Sequence, residues 1–165
     1  MKLLKLIICL FVMAAVMNGC IFKKKHKGDD VGSDSPLEAF PLDSFTEATG
    51  ADADVLKNVY FDYNKYAIKN DQAAIVDAIS AWLKDKPKTH LLVEGHCDER
   101  GSNEYNMALG EQRALAVRQY IIDKGIPAGR IQTISYGEEK PAAQGHDEST
   151  WSQNRRSHFM IANEQ

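Results

Sequence analysis

The chain has 165 residues, a formal net charge of −3, and 26% charged against 44% hydrophobic residues, the balance of an ordinary globular protein. Its length leaves room for one domain plus flanking segments, and the slightly acidic total lacks the basic footprint of a nucleic-acid binder. Of the three cysteines, Cys9, Cys20 and Cys97, only Cys97 falls outside the N-terminal region, which excludes a disulfide framework in the globular part.

The N-terminus reads as a secretory signal over residues 1–19. Met1-Lys2-Leu3-Leu4-Lys5 is a short positive start, Leu6 to Met17 is almost wholly apolar, and the small residues Asn18 and Gly19 precede Cys20. The apolar run is about a dozen residues, short of the roughly 20 that span a bilayer, so a permanent transmembrane helix is the weaker alternative. Met17-Asn18-Gly19-Cys20 resembles a bacterial lipobox, which implies that Cys20 is lipidated and becomes the new N-terminus. The other alternative is an ordinary signal with an unmodified cysteine. Two acyl chains suffice for stable attachment, at about 0.8 kcal/mol per buried methylene. Ile21 stands where an Asp in such lipoproteins favours inner-membrane retention, so the resemblance implies the outer membrane. Lys23-Lys24-Lys25-His26-Lys27 either meets anionic headgroups or is a solvated charge run.

Residues 20–55 are expected to be the lipidated N-terminus and a flexible linker, because Gly28 to about Asp54 is rich in Gly, Asp, Ser, Pro, Thr and Ala with no persistent period. As a coil, about 35 residues span about 30–35 Å, and fully stretched about 115–125 Å.

Residues 56–165 read as the folded domain. Asn58 to Phe61 predicts a strand. Asp71 to Lys86 carries Ala74, Ile75, Ala78, Ile79 and Trp82 at helical spacing, and Pro87 ends it. Thr89 to Glu94 predicts a second strand, Asn103 to Lys124 a long helix closed by Gly125 and Pro127, and Arg130 to Tyr136 a third strand. Ser149 to Asn154 predicts a short helix and Arg156 to Ala162 a fourth strand. The alternation predicts an α/β (α+β) two-layer sandwich: a four-stranded mixed sheet, two main helices on one face, and a short extra helix.

The long helix carries a charge in an unexpected place. With Leu109 as origin at 100° per residue, Tyr105, Ala116, Val117 and Tyr120 form one apolar face, and Arg113 and Asn106 fall inside it. A buried arginine needs a partner or a wet cleft, unless it snorkels past the helix end to water. Asp98, on the loop entering that helix, is the natural counterpart. Held apart, an acid and an arginine grip a zwitterion, the acid taking an ammonium and the arginine a carboxylate by two parallel hydrogen bonds. Held together, they are a structural salt bridge. Spacing alone leaves both open.

The run Glu94-Gly95-His96-Cys97-Asp98-Glu99-Arg100-Gly101-Ser102-Asn103-Glu104-Tyr105-Asn106, continuing to Arg113-Ala114, closely resembles the OmpA-like C-terminal domain family and, within it, the peptidoglycan-associated lipoproteins. Val59-Tyr60-Phe61-Asp62, Ser135 to Pro141, Gly145 to Glu148 and Asn154-Arg155-Arg156 extend the likeness over about residues 56–162. The resemblance implies non-covalent binding of the diaminopimelate in the peptidoglycan stem peptide, with no cofactor, no metal and no catalysis. Asp98 matches the residue that takes the ammonium and Arg113 the one that takes the carboxylate. Asn106, Leu109 and Phe61 match residues of the same cleft, and Arg100 and Asn64 are counted with them. Asn64 replaces a frequent Asp, and Cys97 replaces a small Ala or Thr and reads as a small buried residue. Implied partners are peptidoglycan, the outer membrane through the lipid, and the Tol proteins TolB and TolA. The implied role is in envelope integrity and in outer-membrane constriction at division. The alternative within the family is a stator or wall anchor that does not act with Tol proteins.

Rival chemistries find little support. Glu94, His96 and Asp98 alternate on an extended segment, but no His-Glu-x-x-His motif accompanies them. Cys97 and His96 are adjacent and so point apart, and no Gly-x-Ser-x-Gly elbow exists. His96 is expected to be a hydrogen-bonding loop residue that orients the Asp98 turn.

Overall fold

The structure, a computed structural model, describes residues 40–164. The signal segment, Cys20 and most of the expected linker lie outside the described residues. Five strands form one mixed sheet: β1 (Thr46–Glu47), β2 (Val59–Tyr60), β3 (Thr89–His96), β4 (Ile131–Gly137) and β5 (Arg156–Asn163). The helices are α1 (Ala51–Val55), α2 (Asn70–Asp85), α3 (Asn103–Asp123) and α4 (Glu148–Asn154).

β3 is the central strand, antiparallel to β5 and parallel to β4, with Leu91 opposite both Ile161 and Ile131. The parallel pair requires a crossover, which α3 provides. β1 and β2 both pair with the outer edge of β5, β1 at Met160–Ile161 and β2 at Arg156–Ser157. The sheet therefore has five strands where four were expected. The extra strand is β1, which lies with α1 and a short 3-10 turn at Leu42–Ser44 inside the segment read as linker. A two-residue strand is too short to show alternation in sequence, so its presence was not legible.

Strand alternation separates two cores. Leu91 and Val93 of β3, Ile131 of β4 and Phe159 of β5 pack under Val76, Ile79 and Leu83 of α2 and Ala114, Val117 and Ile121 of α3. On the opposite face, Phe45, Leu92 and Ala162 pack with Phe40, Ile134 and Met160, so the N-terminal segment covers part of the helix-free side.

The buried stripe of α3 is Asn106, Gly110, Arg113, Ala114, Val117 and Ile121. It is rotated by about 70° from the face expected around Leu109, and Tyr105 is exposed. The reason is a close approach at a glycine pair. A Cβ on Gly95 would lie 1.9 Å from the Gly110 carbonyl oxygen, and one on Gly110 would lie 2.3 Å from Ser135 Oγ. The helix backbone rests on β3 and β4 there, and this seats Arg113 beneath the helix. Ser102 caps α3 by accepting from the Tyr105 N–H at 3.2 Å.

Among the described residues no helix is long and apolar enough to cross a membrane.

Candidate functional site

β3 ends at His96, and the chain then runs through Cys97–Gly101 to the Ser102 cap of α3. This loop meets the segment after β2 and the first turns of α3 around a narrow cleft. Asn64, Asp98, Arg100, Asn106, Leu109 and Arg113 all line it. Phe61 does not; it is buried behind, with the Arg113 guanidinium 5.2 Å from its ring centre. Tyr63 and Tyr105 also line the cleft and were not among the expected site residues.

Asp98 is only 3% exposed. Arg100 binds it by its backbone N–H at 3.1 Å, by Nε at 3.1 Å and by Nη2 at 2.7 Å. Arg155 Nη1 reaches the same carboxylate from inside at 3.2 Å. Burial pushes the Asp98 carboxyl up, but the bonds from Arg100 and then Arg155 outweigh this and hold it below the ordinary value. Arg155 also donates to the Phe61 carbonyl at 3.0 Å and to Glu148 at 2.5 Å, tying α4, β2 and the loop together. Arg155 was not singled out from sequence; the twin Arg155-Arg156 after a short helix was the only signal.

Arg100 is the outer member of this group, its side chain 29% exposed against 4% for that of Asp98. Its guanidinium lies 4.0 Å from the ring centres of both Tyr63 and Trp151, a cation–π sandwich at the cleft mouth. Trp151 is itself held by a 2.9 Å bond from Nε1 to Glu99.

Arg113 is 0% exposed, so it does not snorkel to water. Nor does it pair with Asp98, whose partners among the described residues are Arg100 and Arg155. Instead it braces backbone: Nε donates to the Lys65 carbonyl at 2.9 Å, Nη1 to the His96 carbonyl at 2.7 Å, and Nη2 to the Asp62 carbonyl at 3.2 Å. Nη1 also approaches Cys97 Sγ at 3.4 Å. All but one of its N–H groups are engaged, so the expected pair of parallel bonds to a ligand carboxylate is not open to it here. Burial lowers its pKa from the ordinary value, yet an arginine remains charged.

The remaining residues frame the cleft. Asn106 Nδ2 donates to the Asp98 carbonyl at 3.2 Å and to Glu138 at 2.6 Å. Asn64 holds a left-handed backbone, φ 55°, a conformation asparagine tolerates. Its Oδ1 accepts from the Tyr105 hydroxyl across the mouth. Cys97 is buried, and burial pushes its thiol up to about 11 despite Arg113, so it stays protonated and poorly nucleophilic. His96 differs from expectation. Its ring faces away from the cleft, stacks 5.7 Å from Tyr136 and has no hydrogen-bond partner. Its carbonyl, not its imidazole, serves the site, through Arg113.

Comparison with known proteins places this geometry in a family. The OmpA family model matches residues 60–155. The chain is 52% identical over 99 residues to the "Peptidoglycan-associated lipoprotein" of Pasteurella multocida, a match covering 60% of this chain and 66% of that protein, just under two thirds of its length. It is 40% identical over 150 residues to the protein of the same name from Rhizobium meliloti, covering 88% of this chain and 81% of the relative. Among solved structures, the peptidoglycan-associated lipoprotein from Burkholderia pseudomallei superposes with a TM-score of 0.62 at 41% identity, over 63% of this chain and 88% of that one. With its central β3, its Asp98 loop and its capped α3 matched across that span, the chain belongs to the OmpA family, in the company of the peptidoglycan-associated lipoproteins.

Proposed function

We propose that this chain is an outer-membrane lipoprotein, lipidated at Cys20, whose periplasmic domain holds peptidoglycan non-covalently at the Asp98 cleft. The ligand is the diaminopimelate of the stem peptide, which presents an ammonium and a carboxylate together. The observation that carries the reading is an ionised, nearly buried carboxylate whose outer partner, Arg100, is itself a side chain at the mouth. An incoming ammonium takes the Arg100 position on Asp98, while Arg155 keeps its inner bond. Arg100 then turns to the ligand carboxylate, and the remaining N–H of Arg113 contributes from the wall. The internal ion pair is thereby exchanged for two pairs to the ligand, so no charge is stranded.

In this reading Arg113 acts chiefly by fixing the carbonyls of Asp62, Lys65 and His96 that shape the cleft. Asn64, Asn106 and Leu109 set its outline and Phe61 backs it. No step makes or breaks a covalent bond, and the chain is read as a binding protein. The names of its relatives support a wall-binding role. Partnership with TolB and TolA, and a part in outer-membrane constriction at division, follow from the family likeness and belong to this proposal.

The test is sedimentation with purified peptidoglycan of two chemotypes. The chain is expected to co-sediment with wall containing diaminopimelate and to remain soluble with wall containing lysine at that position. Equal binding to both, or to neither, overturns the assignment.

A further inference from the structure

A second cleft, of about 430 Å³, lies on the sheet face that the helices leave open. Glu94 and His96 of β3, Arg156 and His158 of β5, and Lys140 after β4 line it, and it shares no lining residue with the Asp98 cleft. Glu94 stands opposite His158 in the ladder, with Arg156 two residues away on the same face.

The charges in this cleft do not neutralise one another. Arg156 is 8% exposed, and among the described residues no carboxylate comes within 4.0 Å of it. Its Nη2 donates to the Lys140 carbonyl at 3.3 Å, and its Nη1 has no partner. Lys140 rests its Nζ 3.5 Å from the ring centre of Tyr136 and joins no ion pair among the described residues. Glu94 is 6% exposed and meets only His96 Nε2 at 3.6 Å, too long for a hydrogen bond. Glu47, the other acid on the wall, is taken by His158 at 3.0 Å. A buried guanidinium without a counter-charge is costly, and here it sits in one cavity with a carboxylate to which it is not joined.

We propose that this cleft is a second binding site, for an amino-acid zwitterion. Glu94 receives the ammonium, and Arg156 with Lys140 receives the carboxylate. A simple anion would face Glu94, and a simple cation would face Arg156 and Lys140. A ligand carrying both ends satisfies all three at once. Free amino acids and the unlinked amino-acid end of a wall peptide share this chemistry. The site stands independently of the wall-binding reading of the Asp98 cleft.

The test is an amide-resolved NMR titration of the full chain with glycine, acetate and methylammonium. Glycine is expected to move the amide signals of Glu94, Lys140 and Arg156 in a saturable way, with acetate and methylammonium at least tenfold weaker. Glu94→Gln, which is near-isosteric, and Arg156→Gln should each weaken glycine at least tenfold. A soluble wall peptide that moves these signals at lower concentration than glycine assigns the site to the wall; one that does not leaves the free amino acid as ligand. Equal response to acetate, no saturable response to glycine, or an unchanged response in Glu94→Gln overturns the proposal, and Glu94→Gln alone suffices if Arg156→Gln does not fold.

Discussion

Asp98 and Arg113 line the same cleft without bonding to each other: Asp98 is held by Arg100 and Arg155, and Arg113 by three backbone carbonyls. The two residues therefore answer different experiments. Asp98→Asn keeps the shape and removes the charge that receives an ammonium. Wall affinity is expected to fall by about 2–5 kcal/mol, the range for truncating one side of a desolvated charge pair, while the circular dichroism spectrum stays that of the wild type. Undiminished sedimentation of Asp98→Asn would remove this residue from the site.

Arg113→Ala is a stability experiment first. It strands the carbonyls of Asp62, Lys65 and His96 and opens a void under α3. Each buried carbonyl left without a donor costs about 1–3 kcal/mol, and the void adds to that. Urea unfolding should show a clear drop in midpoint, and wall binding should fail because the cleft loses its walls. An unchanged midpoint would show that the carbonyl bracing contributes little.

Acidification should weaken the fold through His96. Burial lowers the pKa of this ring, and Glu94 offsets that only in part. The unfolded chain therefore binds more protons than the folded one once the pH falls below about 6.5, and stability declines as pH drops from there. The loss is expected to grow steadily between about pH 6.5 and 5. His96→Phe removes this contribution, whereas His146, whose pKa Glu99 raises, titrates in both proteins and cancels in the comparison. Identical pH profiles for the two proteins would contradict a buried, neutral His96.

Lipidation rests on Cys20. Metabolic labelling with a fatty-acid analogue is expected to mark the wild-type chain and not Cys20→Ala, and only the wild type should fractionate with the outer membrane. Equal labelling of the variant would withdraw the anchor.

The helices and long strands were legible because each carries its period over many residues: α2 and α3 begin and end within about two residues of the sequence reading. The orientation of α3 was not legible. Hydrophobicity points toward Leu109 and Tyr105, whereas the contact is made by Gly95 and Gly110, residues with no side chain to weigh. In the site, Asp98 and Arg113 could be placed near each other because the loop between β3 and α3 is short. Their partners could not. Arg113 bonds to main-chain oxygens, which every residue possesses, and Arg155 arrives from the far end of the domain. The pairing of β1 depends on residues more than a hundred positions away, so local pattern had no means to mark it.

The two-residue β1 and the Phe40–Phe45 contacts join the first described residues to the sheet. If the chain is anchored at Cys20 as proposed, a pull on the domain would enter at the edge of β5 through one short ladder, on a strand other than the one that leads to Asp98. Parting that ladder would leave the contacts among α2, α3 and the central strands in place. β1, as short as β2 and paired along one edge only, is the part of the sheet expected to yield first under such a pull.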